Sequence, residues 1–258
     1  MGLAASAGVF LALIVLPVLA ILDRAAAAGF LPSLPGSRTV VLQALRLSAW
    51  TSACALLVIV ALGTPCAYLL ARHPFRGRAL VDSLIELPLV LPPTVAGIGL
   101  LMAFGRRGLL GPYLESLGIT LPFTAAAVVL AQVFVAGPFY IRAARAGFEA
   151  VAPHLELVAR TLGVSDWQVF WRVTVPLAAP SLLSGLTMAW ARALGEFGAT
   201  IMFAGSFPGR TQTMTVAIYA ELERDLDGAL AMAAILLGVS FALLALLRLA
   251  LGRGRAVA

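Results

Sequence analysis

Two ionisable side chains sit where charge is least expected: Arg192 and Glu196, four residues apart in the apolar stretch from Ala178 to Phe203. On a helix they would lie about 18 and 24 Å beyond Pro180, within hydrocarbon depth. Charges at that depth are costly and tend to face a partner or an aqueous path. Two roles fit the pair. In one, Arg192 attracts an oxyanion and Glu196 keeps it from binding too tightly, with Thr200 one turn further along the candidate pathway. In the other, the pair neutralises itself and braces its helix against neighbours. Gly195, Gly198 and Ala199 permit close packing or a bend in either case.

Residues for covalent chemistry are scarce. No nucleophile–base pair or metal cluster supports an enzyme. His73 falls in a short basic loop and His154 near a helix start, so a metal site is not expected. Cys54 and Cys66, about 18 Å apart along one helix, are beyond disulfide reach and read as packing residues. No GxxxxGK[ST] occurs, so a nucleotide is not held by a P-loop on this chain and any ATPase is a separate subunit. No basic-aromatic patch suggests nucleic acid.

A second stretch, Pro153 to Pro180, carries docking chemistry. Pro153 suits a first helical position and Gly163 the left-handed residue that closes a helix. Between them Leu155, Val158, Ala159 and Leu162 form one apolar stripe, and Glu156 and Arg160 form an i,i+4 pair. After the Gly163-Val164 turn, Ser165 and Gln168 have the spacing of a capping box, and Asp166 puts negative charge at the positive end of the next helix. Trp167, Phe170 and Trp171 share a face of that helix. Helix, glycine, helix and an aromatic face together predict insertion into a groove on another protein.

The elements that position these residues are membrane spans. The chain is 61% hydrophobic and 12% charged, with a mean hydropathy of +1.00, which excludes an ordinary soluble domain. All 18 basic residues are Arg, and the net charge of +6 is accounted for by basic cytoplasmic loops. The fold class expected is all-α, with six transmembrane helices. They run roughly over Met1–Leu22, Leu45–Ala71, Leu84–Phe104, Pro122–Ile141, Ala178–Phe203 and Ala229–Leu251. The first is read as a span rather than a cleaved signal, because no basic residue precedes it. The connector from Gly29 to Arg38 is turn-rich. Pro88, Pro92, Pro93, Gly97 and Gly99 predict that the third span is broken or kinked. Residues 1–39 form a first helix with its outer connector; residues 40–258 form one five-helix domain that includes a loop over about 142–176.

The compact loop Arg72, His73, Arg76 and Arg78 is the clearest positive-inside signal. With the docking stretch on the same side, ten Arg fall inside (72, 76, 78, 142, 145, 160, 172, 248, 253, 255) and seven outside (24, 38, 46, 106, 107, 210, 224). Both termini are then cytoplasmic.

Gly163, followed after nine residues by Val173-Thr174-Val175-Pro176, resembles the second half of the EAA loop of permease subunits in binding-protein-dependent ABC importers. The first half departs from it: Leu157-Val158-Ala159 stands where EAA would, and Glu156 lies one position early. LPLVLPPTVAGIGLL, GRRGLLGPYLESLGI and above all Leu194 to Leu222, with its G-R-T-Q-T-M run at Gly209 to Met214, resemble molybdate-type permeases. The resemblance implies that Glu156, Arg160 and Gly163 to Gln168 (Val164, Ser165, Asp166 and Trp167 included) couple to two ATPase subunits. Those subunits would hold ATP and Mg, with no cofactor on this chain. It also implies a second copy of the permease, the bacterial or archaeal cytoplasmic membrane, and an extracytoplasmic molybdate-binding protein docking near Arg210, Thr211 and Gln212. The acidic group Glu221, Glu223, Asp225 and Asp227 lies in the same outer region. Tungstate, sulfate and thiosulfate importers are competitors within this class. A secondary anion transporter, using Arg192 and Glu196 as a proton-linked element, is the competitor outside it.

Overall fold

A computed structural model describes residues 2–27 and 38–254 of the chain. The expected connector, apart from Arg38, and Arg255 lie outside the described residues. Among the described residues the fold is helical, with no strand. Four helical runs are long and apolar enough to cross a membrane: Ala5–Ala27, Thr39–Arg72, Ala125–Ala150 and Asp166–Leu194. A fifth is obtained if the bent pair Arg78–Val90 and Pro93–Phe104 counts as one span, and a last apolar helix runs over Leu226–Gly254.

In chain order the helices are α1 (Gly2–Ala27), α2 (Arg38–Arg72), α3 (Arg78–Val90), α4 (Pro93–Phe104), α5 (Gly111–Ser116) and α6 (Ala125–Ala150). They continue as α7 (Pro153–Thr161), α8 (Asp166–Val169), α9 (Val175–Leu194), α10 (Gly198–Ala204), α11 (Met214–Leu222) and α12 (Leu226–Gly254). The expected break in the third span lies at Leu91 and Pro92, where α3 and α4 meet at 118°. Neither Pro92 nor Pro93 has an N–H with which to continue α3, and Pro93 serves as the first residue of α4.

The fifth span differs from expectation. Ala178 to Phe203 is not one helix: α9 stops at Leu194 and α10 begins at Gly198. Gly195 and Gly198 weaken helix continuity, and side chains satisfy the groups that the break releases. Gln132 Nε2 donates to the Ala193 carbonyl at 3.1 Å, Glu196 Oε1 accepts from the Ala199 N–H at 2.7 Å, and Thr215 Oγ1 donates to the Glu196 carbonyl at 2.8 Å. Irregular backbone at membrane depth requires such internal partners.

The bundle centre is α2, α6 and α9, joined through small residues. Ala67, Ala136, Ala144, Ala178, Ala189 and Ala193 are buried with Tyr140 and Phe148, so the backbones approach closely. The α4–α10 contact is tighter still. A Cβ added at Gly97 would lie 2.7 Å from Met202 Cβ and 2.8 Å from the Ala199 carbonyl oxygen. Gly97→Val should therefore destabilise the fold by about 1–3 kcal/mol. This would be read as a lower midpoint of thermal unfolding in detergent; an unchanged midpoint would show that α4 and α10 separate freely.

No side chain of α3 is buried, and α3 is held along α6 by three rungs of charge. These are Arg78–Glu149 at 3.1 Å, Asp82–Arg145 at 2.6 Å and Glu86–Arg142 at 3.4 Å. Their spacing of one turn on each helix makes the ladder possible. The charges at 78, 142 and 145, counted from sequence as a sidedness signal, thus also fix a helix in place.

Candidate functional site

The docking stretch forms from local signals. Pro153 opens α7 at its first turn. Gly163, at φ +81°, closes it: the Gly163 N–H donates to the Arg160 carbonyl at 2.9 Å and the Val164 N–H to the Ala159 carbonyl at 3.2 Å. The Ser165–Gln168 capping box is present in both directions, with each bond at 3.4 Å. The second helix, α8, is short and passes through a π-helical turn, Phe170–Thr174, directly into α9. The second docking helix is therefore the head of a membrane span.

The α7 helix is turned with Glu156 inward. Its apolar stripe does not pack on the bundle: Leu155, Val158 and Leu162 are 40%, 55% and 78% exposed. The side chain turned inward is Glu156, at 3%. Its Oε1 accepts from Arg72 Nη2 at 2.7 Å, Arg72 Nε at 3.1 Å and Thr174 Oγ1 at 2.9 Å. Arg72 Nη2 also donates to the Val151 carbonyl at 2.9 Å. One carboxylate thus ties α7 to the ends of α2 and α6 and to the π turn. Neither Arg72 nor Thr174 was expected from sequence as its partner. The expected Glu156–Arg160 pair is stretched to 4.0 Å, and Arg160 turns to Asp166 at 2.6 Å. The hydrogen bond to the Asp166 carboxylate raises the Arg160 pKa.

Trp167, Phe170 and Trp171 are gathered as the spacing implies. Trp167 stacks on Phe170 at 6.4 Å and meets Trp171 edge-on at 5.5 Å. Phe170 leans inward on Tyr68 at 4.9 Å, while Trp167 and Trp171 remain exposed. With the outward stripe of α7, they form a largely apolar surface carried on a charge-locked base.

In the fifth span, Arg192 Nη1 meets Glu196 Oε2 at 2.7 Å. Glu196 is buried, and its other oxygen caps α10. The Arg192 side chain remains 28% exposed. Thr200 is fully buried on α10. The arrangement braces the helix break and leaves part of one guanidinium outside it.

The Arg210–Gln212 run lies in a turn between α10 and α11. Thr211 and Gln212 are buried, and their polar groups bond within the loop. Thr211 Oγ1 accepts from the Phe207 N–H at 3.1 Å, and Gln212 Nε2 reaches Ser206 Oγ at 3.2 Å. Arg210 is the member of the run that faces outward. At the end of this loop the Met214 N–H donates to Ser48 Oγ at 2.8 Å, so it is fastened to α2.

Residues 63–256 match the family described as binding-protein-dependent transport system inner membrane component. The molybdenum transport system permease protein ModB of Mycobacterium tuberculosis is 47% identical over 208 residues, covering 80% of this chain and 76% of that protein. ModB of Escherichia coli K12 is 44% identical over 182 residues, 70% of this chain and 80% of its own. Among solved structures, a bacterial ABC transporter involved in the import of the acidic polysaccharide alginate superposes with a TM-score of 0.74. It covers 99% of this chain and 94% of that one at 16% identity, a likeness of fold alone. The chain belongs to the binding-protein-dependent transport system inner membrane component family, and is a transport subunit rather than an enzyme.

Proposed function

We propose that this multi-pass membrane chain is the permease subunit of an ATP-driven importer of molybdate. The observation that carries the substrate is its 47% identity to a molybdenum permease over 80% of the chain. The power source is read from the docking stretch: an outward apolar stripe and two exposed tryptophans, set on a buried carboxylate–guanidinium lock, suit a surface that must transmit force without yielding. Two ATPase subunits, which would hold ATP and Mg, press on α7 and α8, and α8 passes the push into α9 through the π turn. Two copies of this chain enclose the pathway. With the docking stretch in the cytoplasm both termini are cytoplasmic, and an extracytoplasmic binding protein delivers the oxyanion to the opposite face, with Arg210 as a contact. Arg192 meets the anion on its path, and Glu196 limits how tightly it is held.

The direct test is to reconstitute the permease with its ATPase and add binding protein loaded with molybdate, tungstate or sulfate. Strongest stimulation of ATP hydrolysis by the molybdate-loaded form is expected. No stimulation by that form removes the substrate assignment, while stimulation by the sulfate-loaded form alone transfers it.

Gly163 supplies a sharper test of the lever. A Cβ there meets nothing within 4 Å, so Gly163→Val has little steric cost. Its cost is conformational, about 1–2 kcal/mol for a left-handed non-glycine residue, and it shifts α8 relative to α7. Hydrolysis should continue while molybdate uptake falls several-fold; normal uptake per ATP would sink the lever.

A further inference from the structure

We propose that α3 is a hinged latch, whose ionic ladder to α6 opens and closes by exchange of partners as the transporter changes state. The hinge is visible in the backbone. Leu91 and Pro92 are both extended, at ψ 132° and 134°, and neither Pro92 nor Pro93 has an N–H to tie α4 back to α3. On one side of this joint the chain is fixed: a Cβ added at Gly198 would lie 2.7 Å from Pro93 Cβ, so α4 and α10 move together. The other side is weakly fastened. No side chain of α3 is buried, and Leu80, Leu84 and Leu87 are exposed, which leaves the ladder as its main attachment to α6.

Each helix of the ladder carries a spare partner for its own charges. Arg78 and Asp82 are four residues apart on α3, and Arg145 and Glu149, four apart on α6, are already paired at 2.9 Å. With the latch closed, Arg78 joins Glu149 and Arg145 joins Asp82. When α3 leaves, Arg145 keeps Glu149 and Arg78 turns to Asp82, an i,i+4 pair. None of the four charges is stranded. The remaining rung, Glu86–Arg142, is the longest at 3.4 Å, with 51% and 63% of the two side chains exposed, so water replaces either partner at little cost. The Arg72–Glu156 lock at the same end of the bundle is of another kind, at 12% and 4% exposure. Movement reaches the ladder through α6, because a Cβ added at Gly185 of α9 would lie 2.7 Å from Ala143 Cβ, so a push on α9 carries α6 with it. The latch rests on the transport reading for its driver, the ATPase, and adds the element that moves.

The test uses the full chain in lipid nanodiscs, with Cys54→Ala and Cys66→Ala, and spin labels on Leu80→Cys of α3 and Ala150→Cys of α6, both exposed positions. The distance between the labels is read by EPR for the permease alone and for its complex with the ATPase, with and without a non-hydrolysable ATP analogue. Two separations are expected, and nucleotide should change the fraction of the longer one at least about twofold. The decisive variant exchanges signs. Asp82→Arg with Arg145→Asp keeps every rung complementary but puts like charges four apart on each helix, so neither helix is satisfied alone. The longer separation should then fall at least about threefold, and the nucleotide response should be lost. Glu86→Gln, which removes the rung that has no spare partner, should do the reverse in the permease alone and raise the longer fraction at least about twofold. A ladder that only braces α3 gives one separation, unmoved by nucleotide, and that result overturns the latch. So does a sign exchange that leaves the populations unchanged, or a Glu86→Gln variant identical to the parent. Because the labels report position without molybdate, failure here is separable from failure of the substrate assignment.

Discussion

Glu156→Ala is expected to cost about 3–5 kcal/mol, the range for removing one partner of a buried ion pair. The loss has identifiable parts. Arg72, with 12% of its side chain exposed, loses its carboxylate and is left bonded to the Val151 carbonyl. The Thr174 hydroxyl also loses its acceptor. Since this node ties α7 to α2, α6 and the π turn, the docking surface should loosen before the bundle does. Two measurements follow: the thermal midpoint in detergent should drop, and retention of the ATPase subunits through purification should drop further. Arg72→Met with Glu156→Met should recover much of the stability, because replacing a buried pair with apolar groups of similar volume is often neutral or better. A single Glu156→Ala variant with unchanged stability and full ATPase retention would show that the lock does not hold the docking surface.

Glu196→Ala should be comparably severe for a different reason. It strands Arg192 in a membrane span and uncaps Ala199 at the start of α10; the cap is worth about 1 kcal/mol, and the stranded charge, with 28% of its side chain exposed, costs at most about 3–5 kcal/mol, the range for a fully buried one. Glu196→Gln separates these contributions, because its amide oxygen can still accept from Ala199 while its charge is gone. The Gln variant should fold and assemble. If Arg192 meets the anion, its transport should slow through tighter holding, seen as a lower maximal rate with an unchanged or lower half-saturating concentration. If the pair only braces the helix break, both parameters should follow the amount of folded protein. Arg192→Met with Glu196→Gln then completes the comparison, since bracing alone predicts that transport survives.

What could be read from sequence follows how local each signal is. Pro153, Gly163 and the Ser165–Gln168 box act within one turn of themselves, and the structure has each as read. The break at Pro92 and Pro93 is equally local, because a missing N–H cannot be supplied from elsewhere. The inward turn of Glu156 was not legible, since its partners Arg72 and Thr174 are 84 and 18 residues away. The apolar stripe itself was legible as a face for another protein, and Leu155, Val158 and Leu162 do face out. The end of α9 at Leu194 was hidden because Gln132, on α6, and Thr215, on α11, donate to the carbonyls released by the break. Charge counting likewise gave the arginines at 78, 142 and 145 a side of the membrane but not their partners on the neighbouring helix.

Uptake of radiolabelled molybdate into proteoliposomes that contain the permease and its ATPase tests the central claim most directly. Molybdate-loaded binding protein is added outside, and ATP is either trapped inside or omitted. The expected result is accumulation against a gradient with ATP inside, and none when ATP or the binding protein is left out. Uptake that proceeds equally without ATP would contradict it, and would make the chain a secondary transporter instead.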